Sequence, residues 1–461
     1  MERYELVVIG SGPSGRRAAI QAAKWNKRVL VIEKSPAIGG VSVHTGTLPS
    51  KTLRETVLNL SGWRERTFYG KSYRVKDNIT SDDLLERLNM TLSHEVETLE
   101  HQFVRNKVDW LHGLAHFVDS HTLEVVHDDG ESTKIHGDKI LIATGTHPFR
   151  PDYIPFNGTT IIDSDEIIEL KNLPRSMAVI GAGVIGIEYA TIFSALDVAV
   201  TVIEPRDSML DFIDREIIDE FMHLLRLQNV TFRFGQPVEE IETTDNGSHI
   251  VHLKNKRLVK ADMVLFSAGR MGATSKLGLE AAGVTTDHRG RLKVNENFQT
   301  DVPHIYAAGD VIGFPSLAST SMEQGRIVAC HAFDQDAYDA PEYFPYGIYA
   351  VPEISTVGMS EEEVQERGIP YECGICHFRE TARGQIMGLE TGMMKLIFSL
   401  KTHRLLGVHI VGEGATELIH IGQAVLNLKG TLEYFVENTF NYPTLAEAYK
   451  VAALDAWNRM P

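Results

Sequence analysis

Cysteine is scarce in this chain. Three cysteines occur among 461 residues, at positions 330, 373 and 376. So few thiols do not make a disulfide framework, and we expect a protein of the reducing cytoplasm. Cys373 and Cys376 form one C-x-x-C pair without a second pair, which is weak evidence for a metal site. Alternation through Tyr371, Cys373 and Ile375 instead predicts a strand with a structural role, and we predict no metal ion.

Long apolar runs and an excess of positive charge are also missing. The most apolar stretch, residues 177–187, is too short and too rich in glycine to cross a bilayer. We expect no signal peptide, because the first residues carry no basic segment followed by an apolar core. The formal net charge is −17, which argues against nucleic acid or an anionic membrane as a partner.

Three glycines near the start follow a pattern typical of dinucleotide binding. Gly10, Gly12 and Gly15 are spaced G-x-G-x-x-G between an apolar strand and a small-residue helix, and the next apolar run ends on Glu33. In this context the glycines allow a tight turn, close approach of a pyrophosphate and close helix packing. The helix N-terminus favours the phosphates, and Glu33 is placed to accept hydrogen bonds from a ribose. The structural alternative is a simple glycine turn.

The same pattern returns later in the chain. Gly181, Gly183 and Gly186 follow a second apolar strand, and the closing acid is Glu204. In both copies the acid lies 23 positions after the first glycine. Two complete copies predict two dinucleotides bound in two Rossmann-like domains.

The rest of the sequence predicts buried strands and amphipathic helices, followed by a C-terminal region with a different pattern of secondary structure. We expect helices at 50–58, 81–105, 216–227, 319–333 and 415–428, and strands at 139–145, 263–270, 305–310, 349–357, 393–399 and 405–411. Ser360 and Glu363 predict a capping box for a further short helix that stops at Gly368. Because strands and helices mix after residue 343 without a glycine fingerprint, this region is predicted to be an α+β domain.

Five motifs together resemble the flavoprotein family that contains dihydrolipoyl dehydrogenase, glutathione reductase and mercuric reductase. They are the two fingerprints, the segment 39–51, Ala143-Thr144-Gly145 and the run from Tyr306 to Asp310. The resemblance implies an α/β fold with two Rossmann-like domains, for FAD and NAD(P), and a C-terminal α+β dimerisation domain. The implied boundaries are 1–147 and 276–342 for the FAD domain, 148–275 for the NAD(P) domain and 343–461 for dimerisation. A homodimer or a higher homo-oligomer is implied.

The resemblance also implies roles for individual residues. FAD is expected on the first fingerprint, with its ribitol held by Asp310, and NAD or NADP on the second; a helix cap is the structural alternative for Asp310. The predicted cofactor-binding residues are Gly10, Gly12, Gly15, Glu33, Lys34, Gly40, Lys51, Ala143, Thr144, Gly145, Gly181, Gly183, Gly186, Glu188, Glu204, Arg206, Gly269, Asp310 and Ala318. The predicted catalytic residues are Lys51, Glu188, Tyr442 and Glu447.

Two parts of the family's dithiol machinery are replaced here. The disulfide reductases carry two cysteines in the segment 39–51, where this chain has Ser42 and Thr47. Their C-terminal histidine is replaced by Tyr442, whereas Glu447 is kept. A hydroxyl forms no disulfide, and a tyrosine hydroxyl is a poor proton acceptor for a thiol. We therefore expect hydride transfer directly between nicotinamide and flavin.

Within this family the chain most resembles the soluble pyridine nucleotide transhydrogenases. These share the run His44-x-Gly-Thr-Leu-Pro-Ser-Lys51 and the tail around Tyr442, although some keep the first cysteine. The predicted function is hydride transfer between NADPH and NAD+ through FAD. The alternatives are an NAD(P)H dehydrogenase that reduces a quinone, and a non-catalytic flavin-binding or redox-sensing subunit.

Two charged pairs are the mechanistic candidates. Lys51 and Glu188 are predicted to lie near flavin N5, where a cation favours electron-rich flavin. A plain interdomain ion pair is the alternative. Glu204 would favour NAD, whereas Arg206 could pair with the 2′-phosphate of NADP. A surface arginine in an NADH enzyme is the alternative for Arg206.

Overall fold

The computed structural model describes residues 1–337 and 342–460. They divide into two compact units. The first unit comprises Met1–Thr52, Leu85–Arg150 and the described residues of Gly269–Ala340. The second comprises Leu53–Leu84, Pro151–Ala268 and the described residues of Pro341–Pro461. The finer division into FAD, NAD(P) and dimerisation segments stays a prediction.

The strands and helices of the described residues are numbered in chain order. The strands are β1 (Glu2–Ile9), β2 (Val29–Glu33), β3 (Asp109–His112), β4 (Leu114–Phe117), β5 (Thr122–Val126), β6 (Ser132–Ile142), β7 (Thr146–Pro148), β8 (Ile161–Asp163), β9 (Ser176–Ile180), β10 (Ala199–Ile203), β11 (Thr231–Arg233), β12 (Val238–Thr243), β13 (His249–Leu253), β14 (Leu258–Ala261), β15 (Met263–Phe266), β16 (Arg270–Gly272), β17 (Ile305–Ala307), β18 (Tyr346–Ile348), β19 (Ile354–Gly358), β20 (Tyr371–His377), β21 (Met393–Ser399) and β22 (Leu405–Val411). The helices are α1 (Pro13–Ala23), α2 (Val41–His44), α3 (Thr47–Leu60), α4 (Arg66–Tyr69), α5 (Ser81–Asn106), α6 (Val184–Ala195), α7 (Arg215–Leu227), α8 (Leu279–Ala282), α9 (Ala318–Ala332), α10 (Glu361–Glu366), α11 (Ala382–Ile386), α12 (Ala415–Asn427), α13 (Leu432–Glu437) and α14 (Glu447–Trp457).

The first unit is built on a mixed sheet in the order β3-β2-β1-β6-β5-β4, with β17 also paired to β6. The strands β3, β2, β1, β6 and β17 are parallel, whereas β4 and β5 pair antiparallel. β1 and β2 are apolar on successive positions because both faces of the parallel sheet are covered. Two apolar clusters result, one on each face, around Val7 and around Val8. The predicted Rossmann-like layout is confirmed in this unit.

The second unit contains a parallel sheet and two antiparallel sheets. The parallel sheet has the order β11-β10-β9-β15-β8, again with the fingerprint strand β9 at an inner position. The antiparallel sheets are β12-β13-β14 and β18-β19-β22-β21-β20. In the last sheet every residue of β21 is buried. One face of β21 belongs to an apolar cluster with Phe378, Phe435 and Tyr449. The predicted α+β region after residue 343 is thus confirmed for the described residues.

Local signals predicted most helix bounds to within a few residues. α10 begins at a capping box in which Ser360 accepts from the Glu363 amide and the Glu363 side chain accepts from the Ser360 amide. The predicted strand 349–357 is wrong over its first half, because β19 begins at Ile354. Pro352 has no N–H to donate, and the amides of Tyr349 and Val351 bond to side chains instead of a strand.

Among the described residues, no helix has the length and apolar character needed to cross a bilayer.

Candidate active site

The first glycine turn has the geometry that its spacing predicts. Gly10 has a φ of +104°, and a Cβ there would lie 2.4 Å from the carbonyl oxygen of Ala143. A Cβ on Gly15 would lie 2.0 Å from the carbonyl oxygen of Gly10, so α1 packs against the turn without a side chain. A Cβ on Gly12 would meet no protein atom within 4 Å. The turn is therefore closed where it packs and open where a phosphate would approach.

The acid that closes the first fingerprint is part of the turn's own scaffold. Glu33 is buried, and its Oε2 accepts from the amide of Ser11 at 2.9 Å and from its hydroxyl at 2.6 Å. Its Oε1 accepts from the amide of Ser35 at 3.0 Å. Lys34, beside it, is exposed. These contacts fix the carboxylate at the end of β2, and its bond to a ribose stays a prediction.

The segment 39–51 lies against the first turn. Gly40 has a φ of +63°, and a Cβ there would lie 2.8 Å from the Cα of Gly12. The Gly39 amide donates to the hydroxyl of Ser11 at 2.8 Å. Where the disulfide reductases have their first cysteine, the Ser42 hydroxyl donates to the Gly39 carbonyl at 3.2 Å.

Residues further along this segment are polar and partly buried. The Thr45 hydroxyl oxygen is buried without a hydrogen-bond partner among the described residues. Thr47 is the first residue of α3 and is exposed. Lys51 is half-buried, and its ammonium donates to the Ser50 hydroxyl at 3.2 Å. No sulfur atom occurs in this segment.

Small residues at the ends of β6 and β17 complete the predicted FAD site. The Thr144 hydroxyl is buried without a partner among the described residues, and a Cβ on Gly145 would meet no protein atom within 4 Å. Ala143, before them, is buried. On the neighbouring strand, the Ala308 carbonyl accepts from the Ser14 hydroxyl at 3.2 Å.

Asp310 follows β17, and its surroundings shift the pKa of its carboxyl. Burial raises the pKa of the Asp310 carboxyl above its usual value, while the positive charges of Arg270 and Arg291 oppose the shift. α9 begins at Ala318 with Leu317 as its N-cap residue, so Asp310 does not cap that helix. The two arginines were missed by sequence reasoning; Arg270 follows Gly269, which could have drawn attention to it.

These residues fit a bound dinucleotide. Open space lies at Gly12 and Gly145, two buried hydroxyls at Thr45 and Thr144 lack partners in the described chain, and cations influence Asp310. Buried hydroxyls are normally hydrogen-bonded, so such orphans are expected where a ligand supplies the missing groups.

The second glycine turn repeats the first. Gly181 has a φ of +106°, and a Cβ there would lie 2.8 Å from the carbonyl oxygen of Ser267. A Cβ on Gly186 would lie 2.1 Å from the carbonyl oxygen of Gly181, whereas one on Gly183 would meet nothing within 4 Å. Gly269, with a φ of +129°, also has open space at its Cβ position and belongs to the first unit.

The acid of the second fingerprint is held by an arginine. Glu204 Oε2 accepts from the Ala182 amide at 2.8 Å, and Oε1 accepts from Arg206 Nε at 2.9 Å. Arg206 Nη1 also pairs with Asp211 at 2.8 Å. Burial alone would raise the pKa of the Glu204 carboxyl, but the hydrogen bonds from Arg206 and the backbone outweigh it and lower the pKa. A carboxylate and a half-exposed guanidinium thus share this strand end.

The predicted catalytic residues lie in different parts of the chain. Glu188 is buried on α6, and its Oε1 accepts from the Tyr349 amide at 2.9 Å. Lys51 belongs to the first unit and Glu188 to the second, and their pairing stays a prediction. Tyr442 is 69% exposed. Glu447 is the first residue of α14, and its Oε2 is buried without a hydrogen-bond partner among the described residues.

The surroundings of the C-x-x-C pair are consistent with a structural role. Cys373 and Cys376 lie on β20, as the alternation predicted, and form no disulfide. Burial raises the pKa of both thiols to about 12, which makes them unreactive at neutral pH. Cys330 is buried on α9.

Two family profiles cover most of the sequence. Residues 4–325 match the pyridine nucleotide-disulphide oxidoreductase profile, and residues 344–453 match the dimerisation domain of the same family. With the two turns in place, the chain belongs to the pyridine nucleotide-disulphide oxidoreductase family. Members use FAD and NAD(P), so the protein is a flavin-dependent oxidoreductase with these cofactors.

Two relatives and one solved structure show which proteins the chain is similar to within this comparison. The chain is 51% identical over 462 residues to a soluble pyridine nucleotide transhydrogenase of Mycobacterium tuberculosis, covering 100% of this chain and 98% of the relative. It is 42% identical over 460 residues to one of Pseudomonas aeruginosa, covering 99% of each. Among solved structures it is similar to the HOCl-induced flavoprotein disulfide reductase RclA of Escherichia coli, with 28% identity, a TM-score of 0.87 and coverage of 98% and 99%.

Proposed function

We propose that the protein is an NAD(P)+ transhydrogenase that moves hydride between NADPH and NAD+ through FAD without a redox disulfide. The observation that carries the proposal is the pair Ser42 and Thr47 in a segment that lies against the first glycine turn. Relatives that share this chain's length bear the transhydrogenase name. When bound, FAD supplies a ring that accepts hydride from one nicotinamide and gives it to another.

The two turns take separate roles in this proposal. The first unit holds FAD through the turn at Gly12, the hydroxyls of Thr45 and Thr144, and Asp310. The second turn holds NADPH and NAD+ in alternation, with phosphates at Gly183 and the N-terminus of α6. The proposed segments are those of the sequence prediction: 1–147 and 276–342 for FAD, 148–275 for NAD(P) and 343–461 for homodimer formation.

Both nicotinamide cofactors must be accepted at the second turn. Glu204 can accept hydrogen bonds from the ribose hydroxyls of NAD, because its carboxylate stays ionised. Arg206 can leave Glu204 or Asp211 and pair with the 2′-phosphate of NADP. The exchange of one anionic partner for another keeps the guanidinium satisfied in either state.

Lys51 and Glu188 are proposed to act at the reacting ring. The Lys51 ammonium stabilises negative charge there, and Glu188 orients the groups around it. Tyr442 and Glu447 are proposed to line the site from the dimerisation domain, without acting as a thiol base. The enzyme is proposed to act in the cytoplasm.

The purified yellow protein tests this assignment directly. We expect hydride transfer from NADPH to an NAD+ analogue to be faster than transfer to a quinone, with no turnover of lipoamide or glutathione disulfide. Faster quinone reduction would favour an NAD(P)H dehydrogenase. Bound flavin with neither activity would favour a non-catalytic subunit.

A lysine variant tests the reacting site. Lys51→Met should slow bleaching of the flavin by NADPH about tenfold, because one stabilising charge is worth roughly 1.4 kcal/mol in a partly buried site. Lys24→Met, which alters an exposed lysine of the same unit, is the control and should leave the rate unchanged. Equal rates for both variants would remove Lys51 from the mechanism.

A further inference from the structure

A loop of the C-terminal region holds the Glu188 side chain. Residues 349–353, here called the 349–353 segment, connect β18 and β19, whose ends pair at Ile348 and Ile354. The Tyr349 amide donates to Glu188 Oε1 at 2.9 Å. Two residues on, the Val351 amide donates to the Thr191 hydroxyl at 3.0 Å. The orientation of the Glu188 carboxylate therefore depends on a segment about 160 residues away in sequence.

Thr191 joins this segment to the helix that carries Glu188. Its side chain is fully buried on α6, one turn after Glu188. Its hydroxyl donates to the Glu188 carbonyl oxygen at 2.9 Å while it accepts from the Val351 amide. A hydroxyl that donates and accepts at once sets the distance between helix and segment, which an apolar side chain of the same shape would not do.

The other side of the segment is held by a buried ion pair. Arg54 Nε donates to the Ala350 carbonyl at 2.9 Å, and Arg54 Nη2 lies 3.1 Å from Glu353 Oε1. Glu353 Oε2 accepts from the amide and the hydroxyl of Thr416, at 3.1 and 2.8 Å. The segment is therefore held from two sides, by Thr191 of α6 and by Arg54 and Thr416.

We propose that Thr191 is a positioning residue for hydride transfer, because its hydroxyl holds the 349–353 segment in the place where the Tyr349 amide orients Glu188. The inference rests on the proposed role of Glu188 and adds a fully buried residue of the same helix. It also makes a loop of the dimerisation domain part of the reacting site's support.

Three variants of α6 separate this role from general packing. Thr191→Val keeps the shape and removes both hydrogen bonds, whereas Thr191→Ser keeps the hydroxyl. Ser194→Ala is the matched control, because Ser194 is a buried hydroxyl of the same helix that donates to the Gln228 carbonyl at 3.1 Å. Glu188→Gln shows how much the carboxylate itself contributes.

Two measurements on the holoenzyme give the expected pattern. In hydrogen exchange followed by mass spectrometry, Thr191→Val should speed exchange of the peptide spanning 346–354 about tenfold, since one hydrogen bond protects each amide. In rapid mixing with NADPH, flavin bleaching at saturation should slow about tenfold with the NADPH dissociation constant changed less than about threefold. Thr191→Ser should restore both, and Ser194→Ala should alter neither.

Other outcomes would overturn the inference. An unchanged bleaching rate in Thr191→Val, with Glu188→Gln slow, refutes the positioning role and leaves the role of Glu188 standing. Equal losses in Thr191→Val and Ser194→Ala, or no rescue by Thr191→Ser, also refute it. An unaffected Glu188→Gln enzyme refutes both roles. Because bleaching needs one nicotinamide only, a wild type that bleaches but transfers nothing to NAD+ refutes the proposed function alone.

Discussion

The two glycine turns share one backbone design but differ in what surrounds them. In the first, other segments of the unit pack closely against the turn. A Cβ on Gly40 would lie 2.8 Å from the Cα of Gly12, and a Cβ on Gly325 would lie 2.0 Å from the carbonyl oxygen of Ser14. Its acid, Glu33, is satisfied by neutral donors of Ser11 and Ser35. In the second, the acid is held by Arg206, whose side chain is 52% exposed.

The difference matches a resident and a visiting ligand. Close packing of other chain segments against the first turn favours a cofactor that stays bound. A turn that ends beside a half-exposed guanidinium suits ligands that come and go, with partners exchanged at the surface. The following experiments test that contrast.

Substitution of the two glycines that pack against a backbone carbonyl, Gly15 and Gly186, should have the strongest effect. Gly15→Ala should raise the FAD dissociation constant about 100-fold, because a Cβ 2.0 Å from a backbone oxygen forces a shift that costs roughly 3 kcal/mol. Gly186→Ala, with its clash at 2.1 Å, should give yellow protein that nicotinamides no longer bleach. Absorbance and flavin release measure both, and loss of flavin from Gly186→Ala would contradict separate sites.

Substitution of Gly12 or Gly183, which we propose to face the phosphates, should weaken ligand binding without weakening the fold. Gly12→Ala and Gly183→Ala place a Cβ in space that no protein atom occupies within 4 Å. We expect unfolding free energies within about 0.5 kcal/mol of wild type and affinities about tenfold lower, for FAD in the first variant and NAD(P)H in the second. Calorimetric titration and denaturant unfolding report the two quantities. A destabilised variant with full affinity would show that the open face is not the ligand's.

A smaller effect is expected from the arginine of the second turn. Arg206→Gln should raise the KM for NADPH about fivefold and change that for NADH less than about twofold, because an exposed charge-assisted bond is partly screened. Arg215→Gln is the control, since Arg215 is exposed and pairs only weakly with Asp219 at 3.8 Å. Equal changes in the KM values for NADPH and NADH would show that Arg206 does not recognise the 2′-phosphate and is a surface arginine.

The smallest effects are opposite pH dependences of stability. The pKa of Glu204 is lowered in the folded protein, so its stabilising contribution is present above the unfolded pKa of about 4.3 and is lost as pH falls through the folded value. The pKa of Asp310 is raised by burial, so ionisation costs stability as pH rises from about 3.9 through the folded value.

Paired variants isolate these two contributions. The stability difference between flavin-free wild type and Glu204→Gln should grow with rising pH, whereas that between wild type and Asp310→Asn should shrink. Urea unfolding between pH 3 and 7 measures both differences. The same sign for the two pairs would contradict the contrast between Glu204, whose pKa is lowered by hydrogen bonds, and Asp310, whose pKa is raised by burial.

The sequence predicted the local parts of both turns well. The spacing of Gly10, Gly12 and Gly15 predicted which glycines pack and which stays open. The contact of Gly15 is to Gly10 within the same turn, whereas the contact of Gly10 is to Ala143, which follows another strand. The capping box at Ser360 was predicted as well. The site assignments of the individual residues remain predictions that the experiments above address.

Contacts that join distant stretches were not predictable in the same way. The strand expected at 349–357 was wrong because Tyr349 and Val351 give their amides to α6, which no local pattern encodes. The cations that influence Asp310 are Arg270, the first residue of β16, and Arg291, in a later stretch of the chain. Likewise, the sequence left Arg206 open between a partner of the 2′-phosphate and a surface arginine, and it did not predict the bond from its guanidinium to Glu204.

The order of strands in the first unit has a consequence for biosynthesis. β17 pairs with β6, yet the stretch from Pro151 to Ala268, which belongs to the other unit, is translated between them. At roughly 5–20 residues per second, β6 waits on the order of 10–30 seconds for its neighbour to leave the ribosome. During that interval the part of β6 that pairs with β17 lacks its partner strand, whereas all strands of the parallel sheet β11-β10-β9-β15-β8 are translated before β17.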